Sequence, residues 1–131
     1  MKLSQGRVLI LDDEPEFGRS MAMMVEYLEM ESQCVTNPDL FFGAVSQWKP
    51  THIILDLIMP AMDGIIVLER LALGGCKARM AISSGLGDRD LKAAKSLATE
   101  LGLDVTTVLP KPVRLSAMQE FLFQHPPSKQ S

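Results

Sequence analysis

Apolar runs of strand length alternate along the chain with stretches in which apolar residues recur at helical spacing. The runs Val8 to Leu11 and Ile53 to Leu55 are continuous, which indicates strands that are buried on both faces. Buried strands that alternate with helices are typical of a parallel sheet covered on both sides. We therefore predict five strands, at Arg7 to Leu11, Gln33 to Thr36, His52 to Asp56, Arg79 to Ser83 and Val105 to Leu109.

Proline and glycine residues mark where the intervening helices begin and end. Pro15 and Pro38 suit the first helical turn, where a missing N–H is harmless. Gly74-Gly75 and Gly102 suit the left-handed end that often follows a helix. The predicted helices run from Pro15 to about Leu28, Pro38 to Trp48, Gly64 to Leu73, Arg89 to Leu101 and Leu115 to Phe123.

Five strand–helix units of this length predict a single α/β domain, a doubly wound (βα)5 fold of the flavodoxin-like kind. The expected parallel sheet has strand order 2-1-3-4-5, with helices on both faces. We assign residues 1–123 to this domain. Residues 124–131 contain Pro126 and Pro127 and are expected to form a flexible tail or the start of a linker.

Composition narrows the function classes. The 131 residues are 47% hydrophobic and 22% charged, which is ordinary for one globular domain with a sizeable core. Lys and Arg number 13 against 16 Asp and Glu, so the net charge is −3 and direct nucleic-acid binding is not expected. No apolar run approaches the ~20 residues of a membrane span, and Asp12 interrupts the first run too early for a signal peptide. We therefore expect a cytoplasmic protein without membrane contact.

Carboxylates follow two of the buried strands. Asp12 and Asp13 close the first strand and Asp56 closes the third, so in the predicted order all three meet at one edge of the sheet. Two carboxylates ~5 Å apart repel by ~3 kcal/mol at an effective dielectric constant of ~20. A divalent metal or a lysine must therefore share the site, and Lys111, just after the fifth strand, is the candidate for the fixed positive charge.

Each aspartate taken alone has a plainer interpretation, because an Asp after a strand is commonly a turn former or a helix cap. The presence of several such polar groups at one edge of the sheet favours a binding site over separate turn formers. Ser83 and Ser84 end the fourth strand, so polar groups from four separate segments are predicted at the edge where ligands bind in doubly wound sheets.

Four motifs stand at these strand ends. They are Leu11-Asp12-Asp13-Glu14-Pro15, Leu55-Asp56-Leu57-Ile58-Met59-Pro60-Ala61-Met62-Asp63-Gly64, Ser83-Ser84-Gly85 and Lys111-Pro112. With these motifs the chain resembles the receiver domain of two-component response regulators, and the resemblance extends over residues 6 to about 123. It implies that Asp56 is the phosphoacceptor, taking a phosphoryl group from a sensor histidine kinase or a phosphotransfer protein.

The resemblance also implies the roles of the other site residues. Mg²⁺ would be bound directly by Asp13 and Asp56, through water by Asp12, and by the backbone carbonyl of Ile58. Lys111 would pair with Asp56 and then with its phosphoryl oxygens, and the Lys111–Pro112 peptide would be cis. Ser84 would donate a hydrogen bond to the phosphoryl group and move with it.

The implied function is a signalling module rather than a turnover enzyme, catalysing only its own phosphorylation and slow dephosphorylation. Phosphorylation would switch partner binding through the face made by the fourth helix, fifth strand and fifth helix, and a homodimer could use the same face. Many receivers have an aromatic residue three positions before the lysine, whereas this chain has Val108. The downstream protein or output domain is not evident from the sequence.

Two alternatives stay open. A Rossmann-like phosphohydrolase also uses an aspartyl nucleophile, but such enzymes typically have a second Asp two residues later, where this chain has Ile58. An unphosphorylated interaction scaffold is the other alternative, and it would leave the acidic cluster without a purpose.

Overall fold

A five-stranded parallel sheet forms the centre of the computed structural model, which describes residues 6–56, 58–59, 62–84 and 88–123. The strands in chain order are β1 (Arg7–Leu11), β2 (Glu31–Val35), β3 (His52–Asp56), β4 (Ile58–Met59), β5 (Met62–Asp63), β6 (Arg79–Ser84) and β7 (Asp104–Pro110). The helices are α1 (Pro15–Tyr27), α2 (Pro38–Trp48), α3 (Gly64–Leu73), α4 (Asp88–Glu100) and α5 (Leu115–Phe123).

The main sheet has the order β2-β1-β3-β6-β7, and each neighbouring pair is parallel. The strands β4 and β5 form a separate two-residue antiparallel pair that the sequence pattern did not predict. Since β6 and β7 are the fourth and fifth strands of the main sheet, the predicted order 2-1-3-4-5 is confirmed.

Most element bounds differ from the predicted ones by a residue or less, and β2 differs most. It begins at Glu31, whereas the prediction began at Gln33. Glu31 and Ser32 pair with Arg7 and Val8 of β1, although neither is apolar. An edge strand is held by backbone pairing along one side, so it needs no buried apolar residue at its start.

The core consists of two apolar layers, one on each face of the sheet. Leu9, Leu11 and Ile53 face the layer made with α2, α3 and α4, while Val8 and Ile10 face the layer made with α1 and α5. Side chains alternate along a strand, so a continuous apolar run supplies both layers at once. The prediction that the first and third strands are buried on both faces is therefore confirmed.

Within the described ranges, no helix combines the length and the apolar character needed to cross a membrane. The predicted tail, residues 124–131, lies outside the described residues.

Candidate functional site

The carboxyl ends of β1 and β3 bring three aspartates together. Leu11 lies beside Leu55 in the parallel register, so Asp12 and Asp56 reach the same edge of the sheet. Both are buried, with relative exposures of 0% and 2%. Asp13 is half-buried, and one carboxylate oxygen from each of the three aspartates lies within 4.8 Å of the others. The structure thus places three acids in one cluster, as the strand ends predicted.

Lys111 reaches into this cluster from the end of β7. Its Nζ atom lies 2.9 Å from Asp12 Oδ2 and 3.1 Å from Asp56 Oδ2, and it donates a hydrogen bond to Asp56. The Lys111 side chain is only 10% exposed. The Lys111–Pro112 peptide bond is cis, as the resemblance implied.

The acids stabilise the charged form of this lysine. Burial alone would lower the pKa of Lys111, but its contacts with Asp12 and Asp56 outweigh the burial and raise the pKa above its ordinary value. A permanent positive charge therefore lies against the Asp56 carboxylate across the neutral pH range.

The two carboxylate oxygens of Asp12 have different contacts. Its Oδ1 accepts a hydrogen bond of 2.9 Å from the backbone N–H of Glu14, the turn-forming role that an aspartate often has after a strand. Its Oδ2 is buried and, among the described residues, accepts no aligned hydrogen bond, although the Lys111 ammonium lies close. This oxygen keeps capacity for a further cation.

The residues present fit a divalent metal. Three carboxylates against one ammonium leave a formal charge of −2 in the cluster, which is the charge that a divalent cation neutralises. Carboxylate oxygens are the ligands that Mg²⁺ prefers, and Asp12 Oδ2 is a buried acceptor with unused capacity. Asp12, Asp13 and Asp56 are the side chains that would hold the ion.

The remaining predicted site residues are placed by their strands. Ile58 lies in β4, two residues after Asp56, and pairs with Asp63. Ser83 lies beside Asp56 in the register of β3 and β6, and Ser84 ends β6 opposite Pro110. The metal-binding role of the Ile58 carbonyl and the hydrogen-bonding role of Ser84 stay predictions.

Two residues of the site were missed by the sequence reasoning. Glu14 Oε1 accepts a 3.4 Å hydrogen bond from Lys111, and the Phe17 ring centre lies 4.7 Å from the same ammonium. Glu14 is the extended residue just before α1, and Phe17 is the third residue of that helix. The only signal in the sequence was that both follow Asp13 within four residues.

Val108, the residue found where many receivers have an aromatic, is partly buried in β7 and packs against the core layer of α2, α3 and α4. The Val108 side chain therefore contributes to the packing of this core layer.

Comparison with known proteins assigns the family. Residues 8–123 match the family model described as the response regulator receiver domain. The transcriptional regulatory protein BaeR of Escherichia coli O6:H1 is 31% identical over 68 residues. That match covers 50% of this chain and 27% of BaeR, so it spans about a quarter of the relative's length.

Solved structures agree in fold. A response regulator from Colwellia psychrerythraea is 34% identical, with a TM-score of 0.75 and coverage of 91% of this chain and 94% of that chain. The CheY-like response regulator receiver domain protein from Methanospirillum hungatei JF-1 is 18% identical, with a TM-score of 0.77 and coverage of 91% of each chain. With the sheet order, the acidic cluster and the match over residues 8–123, these likenesses show that the chain belongs to the response regulator receiver domain family of two-component signalling.

Proposed function

We propose that Asp56 accepts a phosphoryl group from a sensor histidine kinase or a phosphotransfer protein, in the cytoplasm. One observation carries this proposal: a buried carboxylate, 2% exposed, lies 3.1 Å from a buried ammonium and within 4.8 Å of two further acids. A carboxylate held beside a fixed cation and a metal-binding pair is equipped for phosphoryl transfer, which depends mainly on positioning and charge neutralisation.

The transfer forms a bond between an Asp56 carboxylate oxygen and phosphorus, and the bond between phosphorus and the donor histidine nitrogen breaks. The electron pair of that bond remains on the imidazole. The contact between Lys111 Nζ and Asp56 Oδ2 supports a role for this lysine in neutralising charge on the phosphoryl oxygens. Asp12, Asp13, Asp56 and the Ile58 carbonyl would hold Mg²⁺, which would supply further positive charge for the transfer.

Ser84 is the proposed sensor of the phosphoryl group. It ends β6, one residue beyond the Asp56–Ser83 pair, and it precedes α4 in the chain. A hydrogen bond from its hydroxyl to the new anion, worth roughly 1.5–3 kcal/mol, is large enough to shift an equilibrium between two positions of the loop after β6.

The output face proposed is the one made by α4, β7 and α5, the fourth helix, fifth sheet strand and fifth helix of the sequence analysis. β7 is an edge strand of the main sheet, and a groove of about 810 Å³ lies along β7 and α5. A downstream protein, an output domain or a second copy of the chain could bind there. The module would catalyse its own phosphorylation and slow dephosphorylation, without turnover of a separate substrate.

The test is phosphorylation of the purified chain by acetyl phosphate with MgCl₂, followed by mass spectrometry of the intact protein and its peptides. We expect one added phosphoryl group, on the peptide that contains Asp56. Asp56→Asn should abolish the modification, whereas Asp104→Asn, at the other end of the sheet, should leave it unchanged.

Modification of Asp56→Asn to the same extent as the wild type would refute the assignment. Repeated hydrolysis of p-nitrophenyl phosphate by catalytic amounts of the chain would instead favour the phosphohydrolase alternative.

A further inference from the structure

A second concave site lies at the opposite edge of the sheet from Asp56. It is a cleft of about 830 Å³ between the carboxyl-terminal ends of α2 and α3. Thr51 and Ala78, which directly precede β3 and β6, line its base. Thr51 is five residues before Asp56, so along β3 the two sites are about 16 Å apart.

The walls of this cleft are largely apolar and aromatic, with Phe42 and Val45 from α2 and Leu71 from α3. Its volume is within the range of roughly 300–1,000 Å³ that is usual for small-molecule sites. A ligand with an apolar body therefore has a surface against which to pack.

The charged side chains at the cleft are all positive among the described residues. Lys49, Arg70 and Lys77 line it, and no Asp or Glu does among the described residues. In the described ranges none of these three cations forms an ion pair, whereas Arg7, Arg79 and Lys111 each do. Three cations that have no ion-pair partner among the described residues surround one cleft in a chain of net charge −3, and such a group is complementary to an anion.

Arg70 also offers a planar surface. Its guanidinium carbon lies 3.8 Å from the centre of the Phe42 ring, and both side chains line the cleft. A guanidinium stacked on one ring can stack with a second planar group on its other face. An aromatic ligand would use this surface better than an aliphatic one.

Lys49, which lines the cleft, is the residue directly after Trp48, the last residue of α2. It ends α2 in the left-handed conformation, with φ 55° and ψ 64°. The left-handed residues behind α3 and α4 are glycines, Gly75 at φ 71° and Gly102 at φ 85°, whereas Glu29 behind α1 is, like Lys49, a left-handed residue with a side chain, at φ 68°. The carboxyl-terminal end of α2 carries a partial negative charge, so a cation near it is favourable. That charge does not require the cation to occupy the left-handed position itself, where a Cβ is unfavourable. Lys49 thus presents its side chain at the cleft from a backbone conformation that favours glycine.

We propose that this cleft binds a small planar aromatic anion, with its ring between the apolar wall and Arg70 and its acidic group on Lys49 and Lys77. The site is separate from the Asp56 cluster, and its occupation does not depend on phosphorylation.

The test uses 8-anilinonaphthalene-1-sulfonate as the fluorescent probe and the unphosphorylated full chain. We expect saturable binding that is weakened about tenfold by the double substitution Lys49→Glu with Arg70→Glu, since two attractive charges become repulsive. Lys92→Glu on α4, which makes a single change of the same kind outside the cleft, should alter the affinity less than about twofold. Equal weakening by the double variant and by Lys92→Glu would overturn the proposal.

Lys49→Gly separates ligand binding from folding. Glycine relieves the left-handed backbone, so the variant should unfold at a higher temperature than the wild type and yet bind the probe about threefold more weakly. Unchanged probe binding in this more stable variant would show that Lys49 has no part in a site.

Location and ligand class are settled by two further measurements. Addition of the probe should change the amide chemical shifts of Val45 and Cys76, which line the cleft. Changes confined to Thr107 and Gln119 would place the probe in the groove along β7 and α5 and would contradict the proposal. Displacement of the probe by 2-naphthoate and by 2-naphthyl phosphate is compared, and the stronger competitor identifies the ligand as a carboxylate or a phosphate. The uncharged 2-naphthol should displace the probe more weakly than either anion. Asp56→Asn should bind the probe as the wild type does.

Discussion

The ammonium group of Lys111 lies 4.7 Å from the centre of the Phe17 ring, so α1 contributes an aromatic wall to the acidic site. Carboxylates of Asp12 and Asp56 contact the same ammonium. A ring face attracts a cation by ~0.5–1 kcal/mol or more when the pair is partly desolvated. The ring therefore helps to hold the lysine where Asp56 needs it.

Phe17→Leu should slow phosphorylation of Asp56 by acetyl phosphate about threefold, because leucine keeps apolar bulk and lacks the negative ring face. Phe17→Tyr should retain the wild-type rate. The measurement is the phosphorylation rate over a range of acetyl phosphate concentrations. Phe123→Leu, an aromatic change on α5, serves as the control, and a similar loss there would deny Phe17 a specific role.

Lys111→Met should destabilise the fold by about 3 kcal/mol in the absence of divalent metal. It leaves the buried carboxylates of Asp12 and Asp56 without their cation, and removing one partner of a buried ion pair is strongly unfavourable. Urea unfolding measures the change. MgCl₂ should restore part of the loss, whereas Lys92→Met should have little effect with or without metal.

Asp56→Asn should have the opposite effect on stability. It removes one of the three clustered negative charges. Without metal, the free energy of unfolding of the variant should therefore exceed that of the wild type by about 1–2 kcal/mol. The wild type should instead gain ~2.7 kcal/mol when Mg²⁺ is present at 100 times its dissociation constant. A wild type that gains no stability from MgCl₂ in thermal scans would argue against the metal site.

His52 should make stability dependent on pH. Burial, and then the charge of Arg79, lower its pKa from the ordinary value of 6.5. The folded state therefore favours the neutral ring, and below pH 6.5 the unfolded chain binds a proton that the folded chain does not. The stability that comes from the neutral ring is present above that pH and is lost as the pH falls through the lowered pKa. Urea unfolding at about pH 7.5 and about pH 5.5 should show this loss, and His52→Gln should show a smaller one.

The fold could be predicted from the sequence where burial leaves a pattern. Val8 to Leu11 and Ile53 to Leu55 are buried on both faces, so they are continuous apolar runs. β2 was misplaced because an edge strand carries little of that pattern, and the pair of β4 and β5 was missed because two residues cannot show a period.

The site could be predicted to the extent that it depends on strand ends. Asp12, Asp13 and Asp56 follow β1 and β3 directly, so strand order alone brings them together. The contact of Lys111 with Phe17 depends on how α1 and the end of β7 pack in space, and no spacing along the chain encodes it. The stacking of Arg70 on Phe42 joins α2 to α3 and was hidden for the same reason.

Gly18 allows α1 to lie close to β2. It is buried, and a Cβ added there would overlap the Sγ atom of Cys34. Alanine favours a helix interior over glycine by ~0.5–1 kcal/mol, but a close contact in a packed interface offsets that gain. Gly18→Ala should therefore destabilise the wild type by about 1 kcal/mol and stabilise the Cys34→Ala variant by ~0.5 kcal/mol. Urea unfolding of the four proteins in this double-mutant cycle measures the coupling, and additive effects would mean that Gly18 and Cys34 do not restrict each other.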